Sequence, residues 1–119
     1  VLPGILAVRG PAWTGPEDAR LAELDAGPGF PLVVVVEDSH FVARSLANFL
    51  WVAFTRSSPA PDLSGRGAAV VRKHWGCAGP LVLDARTKAH HAPALEEDPQ
   101  AVRRVEALGA PGRPLHGLV

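Results

Sequence analysis

The chain has little cysteine, since Cys77 is the single one among its 119 residues. One thiol excludes a disulfide within the chain, which is usual for proteins of reducing compartments. No charged segment followed by an apolar segment opens the sequence, so we expect no signal peptide and a cytoplasmic location. The first residue is Val1 rather than methionine, so one interpretation is that the chain is a piece of a longer protein.

The chain also lacks an excess of charge of either sign and has no long apolar run. Twelve basic residues balance twelve acidic ones, whereas nucleic-acid-binding proteins usually carry a basic excess or a basic stripe. The longest strongly apolar stretch, residues 46–54, is shorter than the roughly 20 residues that a membrane-spanning helix needs. We therefore expect neither nucleic acid nor a membrane among the partners of this protein.

What is present is material for one α/β domain. Hydrophobic residues make up 47% of the chain, and its length suits one domain but not two. Residues 4–8 predict a short strand, and the five apolar residues 32–36, four of them valine, predict a strand covered on both faces. A helix between two strands indicates a crossover unit, hence a small parallel or mixed sheet with helices on both faces.

That first helix is expected between the two strands. Thr14 and Glu17 have the spacing of a capping box, which predicts a helix that begins there and ends near Ala26. Leu21 and Leu24 should then face the sheet.

A second helix, over residues 41–54, has a wide apolar face. On a helical wheel its inward cluster consists of Val42, Leu46, Phe49, Leu50 and Ala53. Val52 lies beside the narrow polar stripe, which is formed by Arg44, Ser45, Asn48 and Thr55. An ordinary surface helix buries a narrower face. Two interpretations stay open: the helix is sunk deep in one domain, or the side that faces away from the sheet is covered by a second domain or subunit.

The second half of the chain predicts further strands at residues 68–71 and 81–83 and a last helix. Asp98 followed by proline is a typical helix start. The residues expected to face inward from this helix are Val102, Val105 and Leu108. We expect the α/β domain to cover residues 1–110 and to end in an extended tail, residues 111–119.

Candidate residues for chemistry are sparse. His74, Cys77, His90 and His91 are types that bind zinc, but their spacing matches no defined site. Cys77 as a nucleophile would need a nearby base or cation, for which His74 alone is thin support. The glycine pairs of the chain lack the rest of a phosphate-binding loop. These residues predict no self-sufficient active site.

Asp38 and Asp84 stand out because each follows a predicted strand. In an open α/β sheet, polar residues at the carboxyl ends of strands line the usual ligand crevice. The alternative is that each is a turn or cap aspartate.

Two stretches of the sequence carry a resemblance to a known family. The first is Val33-Val34-Val35-Val36-Glu37-Asp38, followed at Leu50 by Leu50-Trp51-x-Ala53-x-Thr55-Arg56-x-x-Pro59-x-x-Asp62. The second is Leu83-Asp84-Ala85-Arg86-Thr87-Lys88, followed after a variable loop by Asp98-Pro99-x-x-Val102-x-x-Val105. In order and spacing, residues 5–108 resemble the C-terminal domain of the UbiD family of carboxy-lyases. The sequence departs from that family's pattern at Ser39, His40, Val42, Asn48 and Arg86.

The resemblance implies an enzyme class without its catalytic residues. UbiD enzymes decarboxylate or carboxylate aromatic and α,β-unsaturated acids with prenylated FMN, a divalent metal and potassium. Their flavin site, metal ligands and Arg-Glu-Glu catalytic set belong to a preceding domain, whereas the C-terminal domain supports oligomerisation and closes over the active site. We therefore expect this chain to bind no cofactor alone, and prenylated FMN and a divalent metal to enter only with a catalytic partner domain.

Three hypotheses about function follow from the resemblance. The chain is an oligomerisation or accessory module that pairs with itself or with a separate flavin-binding subunit. Alternatively, it is a fragment of a complete 3-polyprenyl-4-hydroxybenzoate-type or other aromatic-acid decarboxylase, or a small-ligand binding or regulatory protein that reuses the fold. The candidate crevice or interface comprises the family-motif positions Asp38, Trp51, Thr55, Arg56, Asp84 and Lys88. The structural alternative is that Thr55 and Arg56 cap their helix and that Asp84 pairs with Lys88.

Overall fold

A four-stranded sheet organises the protein, whose computed structural model describes residues 1–16, 21–93 and 96–118. In chain order the elements are β1 (Ile5–Arg9), β2 (Leu32–Val36), α1 (Ser39–Ala43), α2 (Leu46–Thr55), α3 (Pro59–Asp62), β3 (Leu63–Ser64), β4 (Ala69–Val71), β5 (His74–Gly76), β6 (Leu81–Asp84) and α4 (Pro99–Gly109). The sheet has the order β1-β2-β6-β3, in which β1, β2 and β6 are parallel and β3 is antiparallel to β6. The predicted α/β fold with a mixed sheet is confirmed.

Strand β2 is the middle of the core, because its valines alternate between the two faces of the sheet. The cluster beneath the helices consists of Val34, Val36, Val42, Phe49, Val52, Ala53 and Ala85. The cluster on the opposite face consists of Val33, Val35 and Val82, against which Val8, Leu21, Leu24 and Ala26 pack. Full burial of such a side chain stabilises the fold by about 1.5–3 kcal/mol. The prediction that β2 is covered on both faces is therefore confirmed.

The first predicted helix lies partly on residues 17–20, which are outside the described residues. Residues 24–26 are not helical, so the predicted end near Ala26 is wrong. The side chain of Asp25 accepts a hydrogen bond from the N–H of Gly27 at 2.8 Å, and this local turn replaces a last helical turn. Leu21 and Leu24 nevertheless pack against the sheet, as predicted.

The single helix predicted over residues 41–54 is in fact two helices, α1 and α2, with a break at residues 44–45. Ser45 is extended there, and its hydroxyl accepts a hydrogen bond from the N–H of Asn48 at 3.1 Å. The side chain of Asn48 donates to the carbonyl oxygen of Phe41 at 2.9 Å. These side chains satisfy the backbone groups that a continuous helix would have paired, so the chain starts a new helix at Ser45.

The residues of α2 that face the core differ from those predicted. Val52, predicted to lie beside the polar stripe, is buried at 2% exposure, whereas Leu46, predicted to face inward, is 48% exposed. Leu50 is exposed as well. The helical wheel was wrong for these three residues because the buried arc extends from Phe49 toward Val52 rather than toward Leu46 and Leu50.

Helix α4 begins as predicted but does not pack inward. The side chain of Asp98 caps it by accepting a hydrogen bond from the N–H of Gln100 at 2.8 Å. No residue of α4 is buried, and Val105 and Leu108 are exposed, so their predicted inward position is wrong. Residues 111–118 form turns rather than an extended tail. The N–H of Leu115 donates a hydrogen bond to the carbonyl oxygen of Leu108 at 3.0 Å.

Strands β4 and β5 form a separate two-stranded hairpin outside the main sheet. Only the first of them was predicted. Arg72 and Lys73 form its turn, and both have positive φ angles, 49° and 70°. The described chain measures 60 × 31 × 28 Å. Within its described part, no helix is long and apolar enough to cross a membrane.

Candidate functional site

Strands β2 and β6 end at the same edge of the sheet, and the loop of residues 85–91 follows β6 there. Polar side chains bond this loop to the end of β2 and to the C-terminal ends of α2 and α3. We call this set the carboxyl-edge network; its members are Glu37, Arg56, Asp62, Asp84, Arg86, Thr87 and Lys88.

Lys88 is the centre of the network. Its buried ammonium nitrogen donates to the backbone carbonyl oxygens of Asp84 at 2.9 Å, Arg56 at 3.0 Å and Arg86 at 3.2 Å. The same nitrogen lies 3.3 Å from a carboxylate oxygen of Asp62. Four oxygens therefore surround one buried cation. A buried charge needs such partners, because burying it without them costs much free energy. Lys88 joins the end of β6 to the ends of α2 and α3.

Asp84 and Arg86 form a buried ion pair beside Lys88. The Arg86 guanidinium donates to both carboxylate oxygens of Asp84, at 2.8 and 2.9 Å, and its backbone N–H donates to one of them at 3.1 Å. The guanidinium also donates to the carbonyl oxygen of Pro11 at 3.0 Å, which ties the segment after β1 to this edge. Burial raises the pKa of Asp84, but the hydrogen bonds from Arg86 outweigh burial and hold that pKa below its ordinary value.

Glu37 links β2 to α2 and to the loop. One of its carboxylate oxygens accepts hydrogen bonds from the Arg56 guanidinium at 2.7 Å and from the Thr87 hydroxyl at 2.9 Å. The other accepts the N–H of Thr87 at 3.0 Å. The Arg56 guanidinium also lies over the Trp51 ring, 5.5 Å from its centroid. This part of the network is half-exposed, so its ion pair contributes less than the buried pairs.

The side chains of two predicted site residues form hydrogen bonds with the backbone of their own helices. A carboxylate oxygen of Asp38 accepts the N–H of Phe41 at 2.9 Å and so caps α1. This hydrogen bond is the main reason that the pKa of Asp38 lies below its ordinary value. The hydroxyl of Thr55 donates to the carbonyl oxygen of Trp51, one helical turn earlier, at 2.6 Å. Both residues therefore make the helix contacts that the structural alternative predicted.

The remaining predicted residues divide between two clefts. Trp51 and Arg56 line a cleft of about 240 Å³ with Asp38, whereas Asp84 and Lys88 line another of about 280 Å³. Backbone carbonyls of Arg56 and Asp84 meet at the Lys88 ammonium, but the residues do not line one open crevice. The expected side-chain pair of Asp84 with Lys88 is wrong: the carboxylate of Asp84 pairs with Arg86, and Lys88 pairs with Asp62.

The larger cleft is lined in part by Trp13, Asp62, Ser64 and His90. The neighbouring His91 accepts a hydrogen bond from the N–H of Lys88 at 3.1 Å. Burial, and then the positive charge of Lys88, lower the pKa of His91. Among the described residues, no three or more histidine, cysteine, aspartate or glutamate side chains are grouped so that they could hold a metal ion. The possible zinc set of His74, Cys77, His90 and His91 is thus not assembled.

Sequence reasoning missed four members of the network: Glu37, Asp62, Arg86 and Thr87. Glu37 directly follows β2 and stands in the matched motif beside Asp38, but it was not singled out. Asp62 stands in the matched motif; its second carboxylate oxygen accepts the N–H of Ser58 at 2.6 Å. Arg86 was recognised as a departure from the family pattern. Its position in the sequence gave no indication that its guanidinium would pair with the carboxylate of Asp84.

The outer face of α2, which points away from the sheet, is apolar and uncovered. Its exposed large side chains are Leu46, Leu50, Trp51 and Phe54. Leu46, Leu50 and Phe54 are four residues apart and therefore share one side of the helix. Sequence analysis left two interpretations of this wide apolar helix. The exposed outer face favours the one in which a second domain or subunit covers the side that points away from the sheet.

Comparison with known proteins gives distant relatives. No protein-family model matches the chain, and no solved structure gives a significant match. An uncharacterized protein of Chlamydia caviae is 33% identical over 88 residues, which are 74% of this chain and 15% of that protein. An uncharacterized protein of Chlamydia trachomatis is 35% identical over 69 residues, 58% of this chain and 12% of that protein.

A relative with a functional description comes from Chlamydia pneumoniae. It is described as a subunit of 4-hydroxybenzoate decarboxylase and is 29% identical over 76 residues, 64% of this chain and 13% of that protein. The chain thus spans between 12% and 15% of the length of the curated relatives it matches. The similarity to this subunit is distant and partial, and it agrees with the UbiD-like resemblance of the sequence motifs.

Proposed function

We propose that this chain is a C-terminal-type module of a UbiD-like decarboxylase system and acts in association rather than in catalysis. The outer face of α2 carries the proposal. Leu46, Leu50, Trp51 and Phe54 present a continuous apolar surface to solvent, and such a surface on a soluble domain commonly marks an interface. This face is covered by a second copy of the chain or by a separate flavin-binding subunit.

The carboxyl-edge network supports the proposal through its position. Arg56, Asp62 and Lys88 belong to the family-like motifs and also hold the C-terminal end of α2 against the sheet. An interface helix needs such a support, because a helix that moves would lose conformational entropy when its partner binds. The similarity to a protein described as a decarboxylase subunit agrees with a role in an assembly of this kind.

No site for the divalent metal of the family is assigned to this chain. No metal-binding group of three or more carboxylate, histidine or cysteine side chains lies within the described ranges. The carboxylates of Asp62 and Asp84 are already paired with Lys88 and Arg86. Decarboxylation chemistry comes from the cofactor, so it is assigned to a partner domain, and no reaction step is assigned here.

Affinity capture of the chain from the cells that express it tests the proposal, with a visible spectrum and mass analysis of the eluate. We expect capture of a larger, flavin-coloured protein or of further copies of the chain, and loss of that capture with Phe54→Asp. Leu118→Asp is the matched control, because Leu118 is 78% exposed and Phe54 is 79% exposed. A chain that elutes alone and monomeric, or equal capture by both variants, contradicts the proposal.

A second candidate is that the chain is part of a complete aromatic-acid decarboxylase. The observation that favours it is the length of the relatives, of which the chain matches between 12% and 15%. The mass of the native protein in cell extract decides this question. A species near 12.5 kDa contradicts the hypothesis, and a several-fold larger species that carries this sequence supports it.

A third candidate is a small-ligand binding or regulatory protein, and the cleft of about 280 Å³ favours it. Trp13 and His90 line this cleft, and neither belongs to the carboxyl-edge network, so they can be replaced without removing its ion pairs. A small molecule that raises the melting temperature of the wild type, but not of Trp13→Ala or His90→Ala, supports this function. A broad screen without any thermal shift counts against it.

A further inference from the structure

A two-stranded hairpin stands apart from the four-stranded sheet. Among the described residues, strands β4 and β5 pair only with each other, and none of their six residues is buried. A lone two-stranded hairpin is marginally stable in water, whereas three strands with an apolar face are stable on their own. The hairpin therefore gains stability from a further strand.

The outer edges of β4 and β5 are open to such a strand. In an antiparallel pair, the N–H and C=O groups of alternate residues point away from the partner strand. Val70 lies opposite Trp75 in this ladder, and neither strand contains proline, so each of their residues has an N–H to donate. An extended segment of another chain can add to a sheet at open edges of this kind.

The hairpin of residues 69–76, which we call the basic hairpin, combines cationic and apolar side chains. Arg72 and Lys73 form its turn, and both have the positive φ angles that favour glycine or asparagine. Val70, Val71 and Trp75 are exposed along its strands. Residues 63–83 contain no aspartate or glutamate, so no acidic residue of this segment neutralises the turn. The surface is thus apolar along the strands and positive at the turn.

We propose that the basic hairpin binds an extended, acidic segment of a different protein, which adds to one of its open edges as a third strand. The backbone of that segment pairs with the edge, and its alternate apolar side chains pack on the exposed valines or on Trp75. Its carboxylates face Arg72 and Lys73. The positive turn also selects the partner, because two basic hairpins repel each other whereas an acidic strand is attracted.

This inference extends the proposed role in association to a further protein, but it uses none of the residues of the outer face of α2. Phe54→Asp tests that outer face and should leave the basic hairpin unaffected. The two proposals can therefore fail separately.

Binding of labelled peptides to the full chain tests the proposal by fluorescence anisotropy. The probe is a peptide of about ten residues that alternates glutamate with valine, and a matched peptide alternates lysine with valine. We expect the glutamate peptide to bind about tenfold more tightly than the lysine peptide, and its affinity to fall as salt is added. Arg72→Glu/Lys73→Glu should reverse this preference.

A third peptide separates strand addition from attraction between charges alone. It has the sequence of the glutamate peptide but carries a methyl group on each backbone nitrogen, so it keeps its charge and has no N–H to donate. We expect it to bind about tenfold more weakly than the unmethylated peptide, because main-chain hydrogen bonds supply affinity in strand addition. In the NMR spectrum of the chain, the unmethylated peptide should shift the amide signals of residues 69–76 most.

Arg44→Glu/Arg104→Glu is the control with the same change of charge. Both residues are exposed and lie outside the basic hairpin, so this variant should bind the glutamate peptide like the wild type. The NMR spectrum also shows whether each variant is folded.

Equal binding of the glutamate and lysine peptides, or of the methylated and unmethylated peptides, overturns the proposal. So does a glutamate peptide that does not bind. Vesicles of phosphatidylserine that then bind the wild type, but not Arg72→Glu/Lys73→Glu, would assign the basic hairpin to an anionic membrane surface instead.

Discussion

Lys88 and Lys73 show how one residue type serves two regions of the molecule in opposite ways. In the carboxyl-edge network, four oxygens surround the buried ammonium of Lys88. In the hairpin of β4 and β5, Lys73 lies exposed in a left-handed turn between two strands that contain no buried residue. Burial makes the partners of the first charge a requirement of folding, whereas the second charge is solvated and needs no partner. The following predictions test this difference, from the largest expected effect to the smallest.

Lys88→Met should have the largest effect on stability. It keeps the apolar stem but leaves Asp62 as a buried charge without its cation, so we expect the free energy of unfolding to fall by about 3–5 kcal/mol. Lys73→Met should change it by less than about 0.5 kcal/mol. Urea denaturation followed by circular dichroism measures both. A loss below about 1 kcal/mol for Lys88→Met would show that the network does not hold the fold.

Adding Asp62→Asn to Lys88→Met provides the control for this prediction. The second change removes the unpaired charge, so the double variant should recover part of the lost stability. Equal stability of the single and the double variant would mean that Lys88 acts through its carbonyl contacts alone.

Acid should remove the contribution of the Asp84 carboxylate. Its pKa in the folded protein is held below the ordinary value by Arg86, so it lies below the value of about 3.9 expected in the unfolded chain. The contribution is therefore fully present above the unfolded pKa and is lost as the pH falls through the folded pKa. We expect the stability difference between wild type and Asp84→Asn to be largest near neutral pH and to shrink in acid. Urea denaturation across this range measures the difference, and a constant difference would contradict the prediction.

Ser45→Ala should have a moderate effect, because the hydroxyl caps α2. Loss of such a cap costs about 1 kcal/mol, measurable by urea denaturation. Ser39→Ala is the control, since Asp38 rather than Ser39 caps α1. If the two variants are equally stable, the cap does not decide where α2 begins.

Val71→Ala should have the smallest effect, below about 0.5 kcal/mol, because the side chain is exposed on the hairpin. Val34→Ala removes the same atoms from the core, where a cavity adds to the lost burial, so it should cost several times more. Thermal unfolding of both variants measures the contrast. A similar loss for both would mean that the hairpin is packed within the monomer.

Much of the fold could be predicted because it depends on local patterns. The five apolar residues of β2 indicated a strand buried on both faces, and the pair Asp98-Pro99 indicated the start of α4. The prediction of Asp38 and Asp84 at strand ends was equally local, since Asp84 closes β6 and Asp38 is the second residue after β2. The alternative role of a cap proved correct for Asp38 because its partner is three residues away.

The candidate site could be predicted less well, because its contacts are distant in sequence. Glu37 and Thr87 are 50 residues apart, and Lys88 and Arg56 are 32 apart. No spacing rule links such pairs. The break at Ser45 was missed for a different reason, since the wheel assumed a continuous helix. The wheel also gave no measure of which side of its wide apolar arc would be covered, and the structure buries Val52 and exposes Leu46.

The sequence by itself determined β1, β2, β4 and β6, the start of α4 and the mixed α/β class, because these follow from apolar runs and from a capping residue within a few positions. Tertiary structure alone decided which charges are buried, which partners they have and which apolar residues stay uncovered. Those outcomes depend on desolvation and packing between segments far apart in the chain. The same physics leaves β4, β5 and α4 without a buried residue.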